Sequence, residues 1–196
     1  MSMSRPTEEP VYVFGSNWNR SDPAKSVRAL VHEWLWRIPE ARRSDQDRRM
    51  LSAIDLDFLV LHAGFERMIA EAGLPDVRFD IPSALAFVEK IGADEHLALY
   101  EEVVSNFELA FDIARTDIGE HDLNELFVME PARASRFNDT VGLLHLRAYE
   151  LDRKRPLSDY IWVEVNSWSN LRLVEQGEFD LRLVEARTTT ERADNE

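Results

Sequence analysis

The fold is decided by the stretch DEHLALYEEVVSNFELAFDIAR, which covers residues 94–115. Its apolar residues recur at steps of three and four, the spacing that places side chains on one face of an α-helix. The residues predicted to face inward are Leu97, Tyr100, Val103, Val104, Phe107, Ala110, Phe111 and Ala114. Asp94 is positioned to cap the first turn. The pattern therefore predicts a long helix that packs against other helices.

The same stretch carries acidic residues along its predicted outer side. Four follow near-helical spacing and two lie beside them, and the six are Asp94, Glu101, Glu108 and Asp112 with Glu95 and Glu102. They span about 27 Å of helix, or one negative charge per about 4.5 Å, against one per about 1.7 Å along duplex DNA. One helix therefore has less than half the charge density of DNA. To imitate DNA, the protein would need a second acidic surface. That surface would have to come from another subunit or from Asp55, Asp57, Glu66 and Glu71.

Helical patterns flank this stretch on both sides. A carboxylate at Asp22 followed by Pro23 predicts a helix that ends at Pro39. Steps of three and four predict a second helix, with a seam formed by Leu51, Ile54, Phe58, Leu61, Phe65, Met68 and Ala72. Two shorter candidates are residues 80–92 and His121 to Met129, and a further helix contains Phe137, Val141, Leu144, Ala148 and Leu151. Together these patterns predict a mainly α, single-domain bundle of about six helices.

The last third of the chain supports more than one interpretation. Residues 157–175 fit a helix, although part of this segment is strongly β-prone, and Leu181–Val184 is left open between helix and strand. Val11–Phe14 is a short β-prone run that ends at Gly15. If Leu181–Val184 is extended as well, it can pair with Val11–Phe14 as a small two-stranded ribbon. We expect one helical domain over residues 11–187, between flexible tails at 1–10 and 188–196.

The composition indicates a globular chain with a strongly acidic centre. The 196 residues are 44% hydrophobic and 31% charged, contain no cysteine and carry a formal net charge of −14. Residues 54–130 hold 18 acidic and 4 basic side chains, so the whole surplus lies there. Such a field repels nucleic acid and attracts basic partners. Because the sequence has no long apolar window and no basic-then-apolar leader, we expect a cytoplasmic protein without a membrane span.

The sequence lacks the motifs that most often carry catalysis. It has no HExxH, no glycine-rich phosphate loop and no nucleophile elbow. None of its five histidines follows an acidic residue three positions earlier, as the ligand pattern of a di-iron bundle requires. His62 and Glu66 stand one helical turn apart, but two ligands are too few for a tight metal site. We therefore expect no catalytic residues, no metal and no cofactor.

The tryptophans divide between core and surface positions. Trp34 lies on the predicted seam of its helix. Trp36 lies off that seam, as Trp162 does if its segment is helical. Both are candidates for an interface, with core packing as the alternative.

Short motifs resemble one family of small acidic helical bacterial proteins. The stretch LVLHAGFERM at residues 59–68 contains a glycine-phenylalanine pair, and Ser83-Ala84-Leu85 and Ile91-Gly92-Ala93 follow before the long helix. These motifs resemble the family called domain of unknown function 4375, which includes a DNA-mimic protein, over about residues 51–168. His62-Ala63 stands where that family usually has Asn-Gly. The resemblance implies an all-helical, non-enzymatic homodimer that occupies the DNA-binding surface of a basic protein.

Charge, motifs and resemblance favour one function over two alternatives. The leading hypothesis is an acidic, non-enzymatic binding protein, in its sharpest form a DNA mimic that covers the nucleic-acid-binding surface of a basic partner. Its predicted binding residues are the six carboxylates of residues 94–112 together with Asp55, Asp57, Glu66 and Glu71. The alternatives are an immunity or antitoxin protein that neutralises a toxin, and a metal-assisted hydrolase that uses His62 and Glu66. No direct contact with nucleic acid or membrane is expected.

Overall fold

The computed structural model describes residues 10–58, 60–61, 80–115 and 129–193 of the chain. Within these ranges the protein is mainly helical with a small two-stranded sheet, which confirms the predicted fold class. The strands are β1 (Val11–Phe14) and β2 (Leu171–Val174). The described helices are α1 (Pro23–Ala29), α2 (Asp45–Phe58), α3 (Ile81–Lys90), α4 (Asp94–Phe111), α5 (Pro131–Lys154), α6 (Leu157–Asn166) and α7 (Gln176–Ala193).

Contacts within the chain form two compact units. The first contains residues 1–48 and 158–196, and the second contains residues 49–157. α7 belongs to the first unit and continues to Ala193, so the flexible tail expected from Thr188 is replaced by helix over residues 188–193. No helix in the described ranges is both long and apolar enough to cross a bilayer.

The sheet of the first unit is a parallel pair of strands. β1 pairs with β2 in the register that runs from Val11↔Leu171 to Phe14↔Val174. The predicted strand at Val11–Phe14 is confirmed. Leu181–Val184, which the sequence left open between helix and strand, lies in α7 and so does not pair with it. The helix expected over residues 157–175 is also too long, since α6 ends at Asn166 and β2 follows it.

Burial explains why Leu181–Val184 is helical despite its β-prone composition. Phe179, Leu183 and Ala186 are buried at steps of four and three, the spacing of one helical face. A strand would have placed Leu181 on the same side as Leu183, yet Leu181 is exposed. Packing of the helical face therefore outweighs the local preference for a strand.

Two helices of the described chain begin with an aspartate cap, and the one at Asp22 is the cap that the sequence predicts. The Asp22 carboxylate accepts a hydrogen bond of 3.0 Å from the Lys25 backbone N–H, and Pro23 lies in the first turn of α1. At α3 the Asp80 carboxylate accepts a hydrogen bond of 3.0 Å from the Ser83 backbone N–H. Each carboxylate satisfies an amide that the helix itself leaves without a partner.

Trp34 lies in the core of the first unit, as predicted. It is carried by π-helical turns over Leu30–Leu35 that continue α1. Its ring meets those of Tyr12 and Phe179 edge-on, with centroids 5.1 Å and 5.9 Å apart. These contacts join β1, the extension of α1 and α7 around one aromatic centre.

The turn between α3 and α4 depends on a glycine. Gly92 has a φ of +69°, in the left-handed region that glycine adopts without a steric penalty. α4 then has Ala93 as its N-cap, so the prediction that Asp94 caps this helix is wrong. Asp94 lies instead in the first turn, where a negative charge interacts favourably with the helix N-terminus.

α4 supplies the centre of the core in the second unit. Its buried residues are His96, Leu99, Tyr100, Val103, Val104, Phe107 and Phe111. The helix ends at Phe111 rather than at Arg115, because Asp112 adopts a φ of +58°. Three residues predicted to face inward are half-buried or exposed: Leu97, Ala110 and Ala114. His96 and Leu99, which were not predicted to face inward, are buried instead.

α5 packs antiparallel to α4. The Phe137 ring near the start of α5 lies 5.4 Å from that of Phe107 and 5.9 Å from that of Phe111, measured between centroids. Lys154 at the end of α5 meets Glu95 at the start of α4. The predicted helix is confirmed, and its buried face contains Phe137, Val141, Leu144 and Ala148.

The predicted seam of the second helix is only partly correct. Leu51 and Leu61 are buried, but Ile54 is half-buried and Phe58 is exposed. Buried positions in α2 include Met50, Ala53 and Leu56 instead. The remaining seam residues Phe65, Met68 and Ala72 lie outside the described residues, as does the candidate helix from His121 up to residue 128.

Replacing Asp80 by alanine should lower the free energy of unfolding by about 1 kcal/mol, because the first turn of α3 loses its cap. Urea denaturation followed by circular dichroism measures the change. The Asp80→Asn variant is the matched control, since its side-chain oxygen can still accept from the Ser83 amide. Equal losses in both variants would contradict a capping role for this side chain.

Candidate binding surface on helix α4

The acidic residues of α4 lie on two edges of the helix rather than on one stripe. The buried face occupies one side, and at about 100° per residue the outward positions divide on either side of it. Asp94, Glu101 and Glu108 fall on one edge, seven residues apart. Glu95 and Glu102 fall on the other edge, which lies beside α5.

The edge beside α5 is neutralised by ion pairs. Lys154 Nζ lies 3.0 Å from Glu95 Oε1, and Arg147 Nη1 lies 2.6 Å from Glu102 Oε2. Glu95 and Glu102 are seven residues apart on α4, and Arg147 and Lys154 are seven residues apart on α5. The antiparallel packing of the two helices therefore brings both ion pairs together. Surface ion pairs of this kind contribute about 0–1 kcal/mol each to stability. Their larger effect here is to remove two negative charges from the outer surface.

The opposite edge, together with the end of the helix, keeps most of its charge. Glu108 receives the Arg115 backbone N–H at 2.9 Å and lies 3.4 Å from Arg115 Nη2. Asp94, Glu101 and Asp112 are exposed and form no ion pair with any residue that the structure describes. We call these three residues the acidic edge. They leave about one unpaired charge per 9 Å of the helix, well below the density of duplex DNA.

The expected second acidic surface is not formed by α2. Asp57 accepts a hydrogen bond from the Tyr100 hydroxyl, a residue of the α4 core, and so faces inward rather than outward. Asp55 is half-buried. Glu66 and Glu71, the other residues predicted for this surface, lie outside the described residues. Neither Asp55 nor Asp57 therefore adds a fully exposed charge to the acidic edge.

Asp57 belongs to a polar cluster inside the second unit. Burial raises the pKa of the Asp57 carboxyl from 3.8 to about 7; the Tyr100 hydrogen bond opposes this shift, and the negative charge of Asp152 adds to it. Burial, followed by the charge of Asp57, raises the pKa of the Tyr100 hydroxyl well above its usual range. Asp57 is therefore close to half-protonated at neutral pH.

His96 is the second buried titratable group of this cluster. Its ring lies 6.0 Å from that of Tyr100 between centroids. Burial lowers the pKa of His96 from 6.5 to about 4, while Glu95 raises it and Arg155 lowers it. His96 is thus neutral at pH 7 and packs as a core residue. Sequence reasoning missed both inward polar groups, although His96 follows the helical spacing of Tyr100 and Val103.

The remaining candidate residues divide as follows. Trp36 is 52% exposed, so core packing, one of the two alternatives for it, is wrong, and its role in an interface stays a prediction. Trp162 is partly buried and stacks on Trp18 with ring centroids 6.3 Å apart. The described part of the chain contains no group of three or more histidine and acidic side chains close enough to hold a metal ion. The predicted pair of His62 and Glu66 lies outside that part.

Comparison with known proteins identifies no relative: no family model, no curated protein and no solved structure matches the chain. Of the motifs that resemble domain of unknown function 4375, Ser83–Leu85 lies in α3. Ile91–Ala93 forms the turn into α4, and most of the motif at residues 59–68 is outside the described residues. Membership of that family stays a prediction.

Replacing Asp57 by asparagine should make stability less dependent on pH. Because the folded-state pKa lies above the unfolded value, the carboxyl of Asp57 loses stabilisation as the pH rises from about 4 to about 7. His96 has the opposite sign, since its contribution is lost as the pH falls from about 6.5 to about 4. The difference in unfolding free energy between Asp57→Asn and the unmodified protein should therefore grow from pH 4 to pH 7 and level off above it.

Chemical denaturation at several pH values from 4 to 9 measures this difference. Asp139→Asn removes an exposed carboxylate from α5 and is the control for the loss of one negative charge. A constant offset between Asp57→Asn and the unmodified protein over the whole range would contradict a raised pKa at Asp57.

Proposed function

We propose that this chain is a non-enzymatic binding protein that holds a basic partner on the acidic edge of α4. The observation that supports this proposal is the exposure of Asp94, Glu101 and Asp112 without cationic partners among the described residues. The edge lies in a chain whose formal net charge is −14. An exposed, rigid row of one sign of charge favours encounter with a surface of the opposite sign.

The partner class that fits best is a protein that binds nucleic acid. Such a protein presents lysine and arginine side chains spaced to meet phosphates, and the carboxylates from Asp94 to Asp112 extend over about 27 Å. The ion pairs of Glu95 and Glu102 lower the charge density of α4. The edge therefore suits a partner with a short basic patch better than one that wraps a long duplex. A basic toxin would use the same interaction, and the identity of the captured partner separates the two.

Salt should weaken the complex strongly. Charges at the surface are screened over about 8 Å at physiological ionic strength. The attraction between exposed carboxylates and partner cations is weakened by this screening, so added salt lowers the affinity. Salt also lowers the association rate, because long-range attraction speeds the encounter. An interface formed by apolar contacts would respond little to salt.

Neutralising the acidic edge should abolish capture of the partner. We expect the triple variant Asp94→Asn, Glu101→Gln and Asp112→Asn to lose at least tenfold in affinity at about 0.1 M salt, because three partner cations lose their counter-charges. Capture from a lysate, followed by titration against the purified partner, measures the loss. Added DNA should displace the protein from a nucleic-acid-binding partner.

A control variant separates the acidic edge from total charge. Glu40→Gln, Glu89→Gln and Glu175→Gln change the net charge by the same three units at exposed positions outside α4. This variant should bind within about twofold of the unmodified protein. Equal loss in both triple variants, or capture that persists at about 0.5 M salt, would contradict recognition by the acidic edge.

A further inference from the structure

α5 exposes large apolar side chains on the face opposite its buried one. Leu143, Leu146 and Tyr149 are 69%, 62% and 58% exposed, and they follow one another at steps of three. The buried face of the same helix is formed by Ala134, Phe137, Val141, Leu144 and Ala148. The outer positions therefore form an apolar strip along one side of a helix whose core contacts are already made by the other side. We call Leu143, Leu146 and Tyr149 the apolar strip.

Gly142 lies next to this strip, and packing among the described residues does not account for it. A Cβ atom built on Gly142 would meet no heavy atom within 4 Å. Glycine in the interior of a helix costs about 1 kcal/mol relative to alanine. The absent side chain leaves a shallow gap one turn before Leu146 on the exposed side of α5. A surface that packs against α5 from outside has room to enter this gap.

Two opposite charges flank the strip symmetrically. Asp139 precedes Leu146 by seven residues and Arg153 follows it by seven, so both lie about 10.5 Å from it along the axis and on the same side of the helix. Both side chains are exposed, and neither forms an ion pair with another described residue. Along this line the arrangement is one negative charge, Leu146 and one positive charge, with the exposed Glu150 to one side, one turn after Leu146.

We propose that a second copy of this chain packs antiparallel on the apolar strip, with a two-fold axis at Leu146. An antiparallel copy reverses the order of the row, so that Asp139 meets Arg153 of the second copy and the reverse pair forms at the other end. Leu146 then packs on its own counterpart, and Tyr149 lies over Gly142 of the second copy. The surface is complementary to itself, which is the condition that a two-fold interface imposes.

The charge row selects this arrangement over others. A parallel pair of α5 helices would place Asp139 against Asp139 and Arg153 against Arg153, and like charges at close range oppose association. The helix is 24 residues long, or about 36 Å. One pair of such helices buries less than the roughly 1,200–2,000 Å² of a standard stable interface. We therefore expect a dimer with a dissociation constant in the micromolar range.

The dimer does not depend on the proposed function. Asp94 and Glu101 lie on α4 and Asp112 directly follows it, and none of the three is part of the apolar strip. Variants of the strip therefore test association of two copies, and variants of the acidic edge test partner binding. A failure of either leaves the other unaffected.

Sedimentation equilibrium of the full chain between about 1 and 200 μM tests the interface. The unmodified protein should shift from monomer to dimer in this range, and Leu146→Asp should stay monomeric because it places two carboxylates at the two-fold axis. Leu109→Asp is the matched control, since Leu109 is 83% exposed but belongs to α4. It should dimerise as the unmodified protein does. Circular dichroism shows whether each variant keeps its helical content.

A charge exchange tests the antiparallel register. Asp139→Arg or Arg153→Asp alone should weaken dimerisation about tenfold, because each creates two like-charge contacts across the two-fold axis. The double variant should restore the affinity of the unmodified protein to within about threefold. A monomeric unmodified protein at 200 μM, dimerisation of Leu146→Asp at unchanged affinity, or a double variant as weak as either single one would each overturn the proposal.

Discussion

The burial of one face of α4 between α3 and α5 is the constraint on which the second unit depends. Phe107 and Phe111 meet Phe137 of α5, and the inward side of α4 can accept little besides apolar side chains. Every carboxylate of the helix must therefore take one of the remaining positions. Those positions form two edges, because the non-acidic residues Ala98, Ser105 and Leu109 lie between them on the outward side.

The antiparallel packing of α5 then decides which carboxylates stay available. Its cations stand seven residues apart at Arg147 and Lys154, and they meet Glu102 and Glu95, which have the same spacing. The other edge faces away from α5 and keeps its charge at Asp94 and Glu101. One packing interaction thus reduces six acidic residues to a smaller acidic edge, and our proposal of a partner with a short basic patch, rather than one that wraps a long duplex, rests on this reduction.

The polar cluster within the core adds a second consequence of burial. Asp57 is driven toward its protonated form and His96 toward its neutral form, since both are removed from water. The two groups respond to pH with opposite signs between about 4 and 6.5. Near neutral pH, burial keeps His96 uncharged and Asp57 partly protonated. The core can therefore hold both ionisable residues.

The sequence by itself determined the helical class, the start of α1 at Asp22-Pro23, the short helix within residues 80–92 and the strand at Val11–Phe14, because these follow from local spacing and capping chemistry. Only the tertiary structure decided that β2 is Leu171–Val174, that Asp57 faces the core and that Glu95 and Glu102 are paired. Each of these depends on which segment lies opposite in space, and a pattern along one chain does not specify its neighbour. The net charge can be counted from the sequence. Which carboxylates remain without an ion-pair partner depends on where the arginine and lysine side chains lie around them, and only the tertiary structure gives those positions.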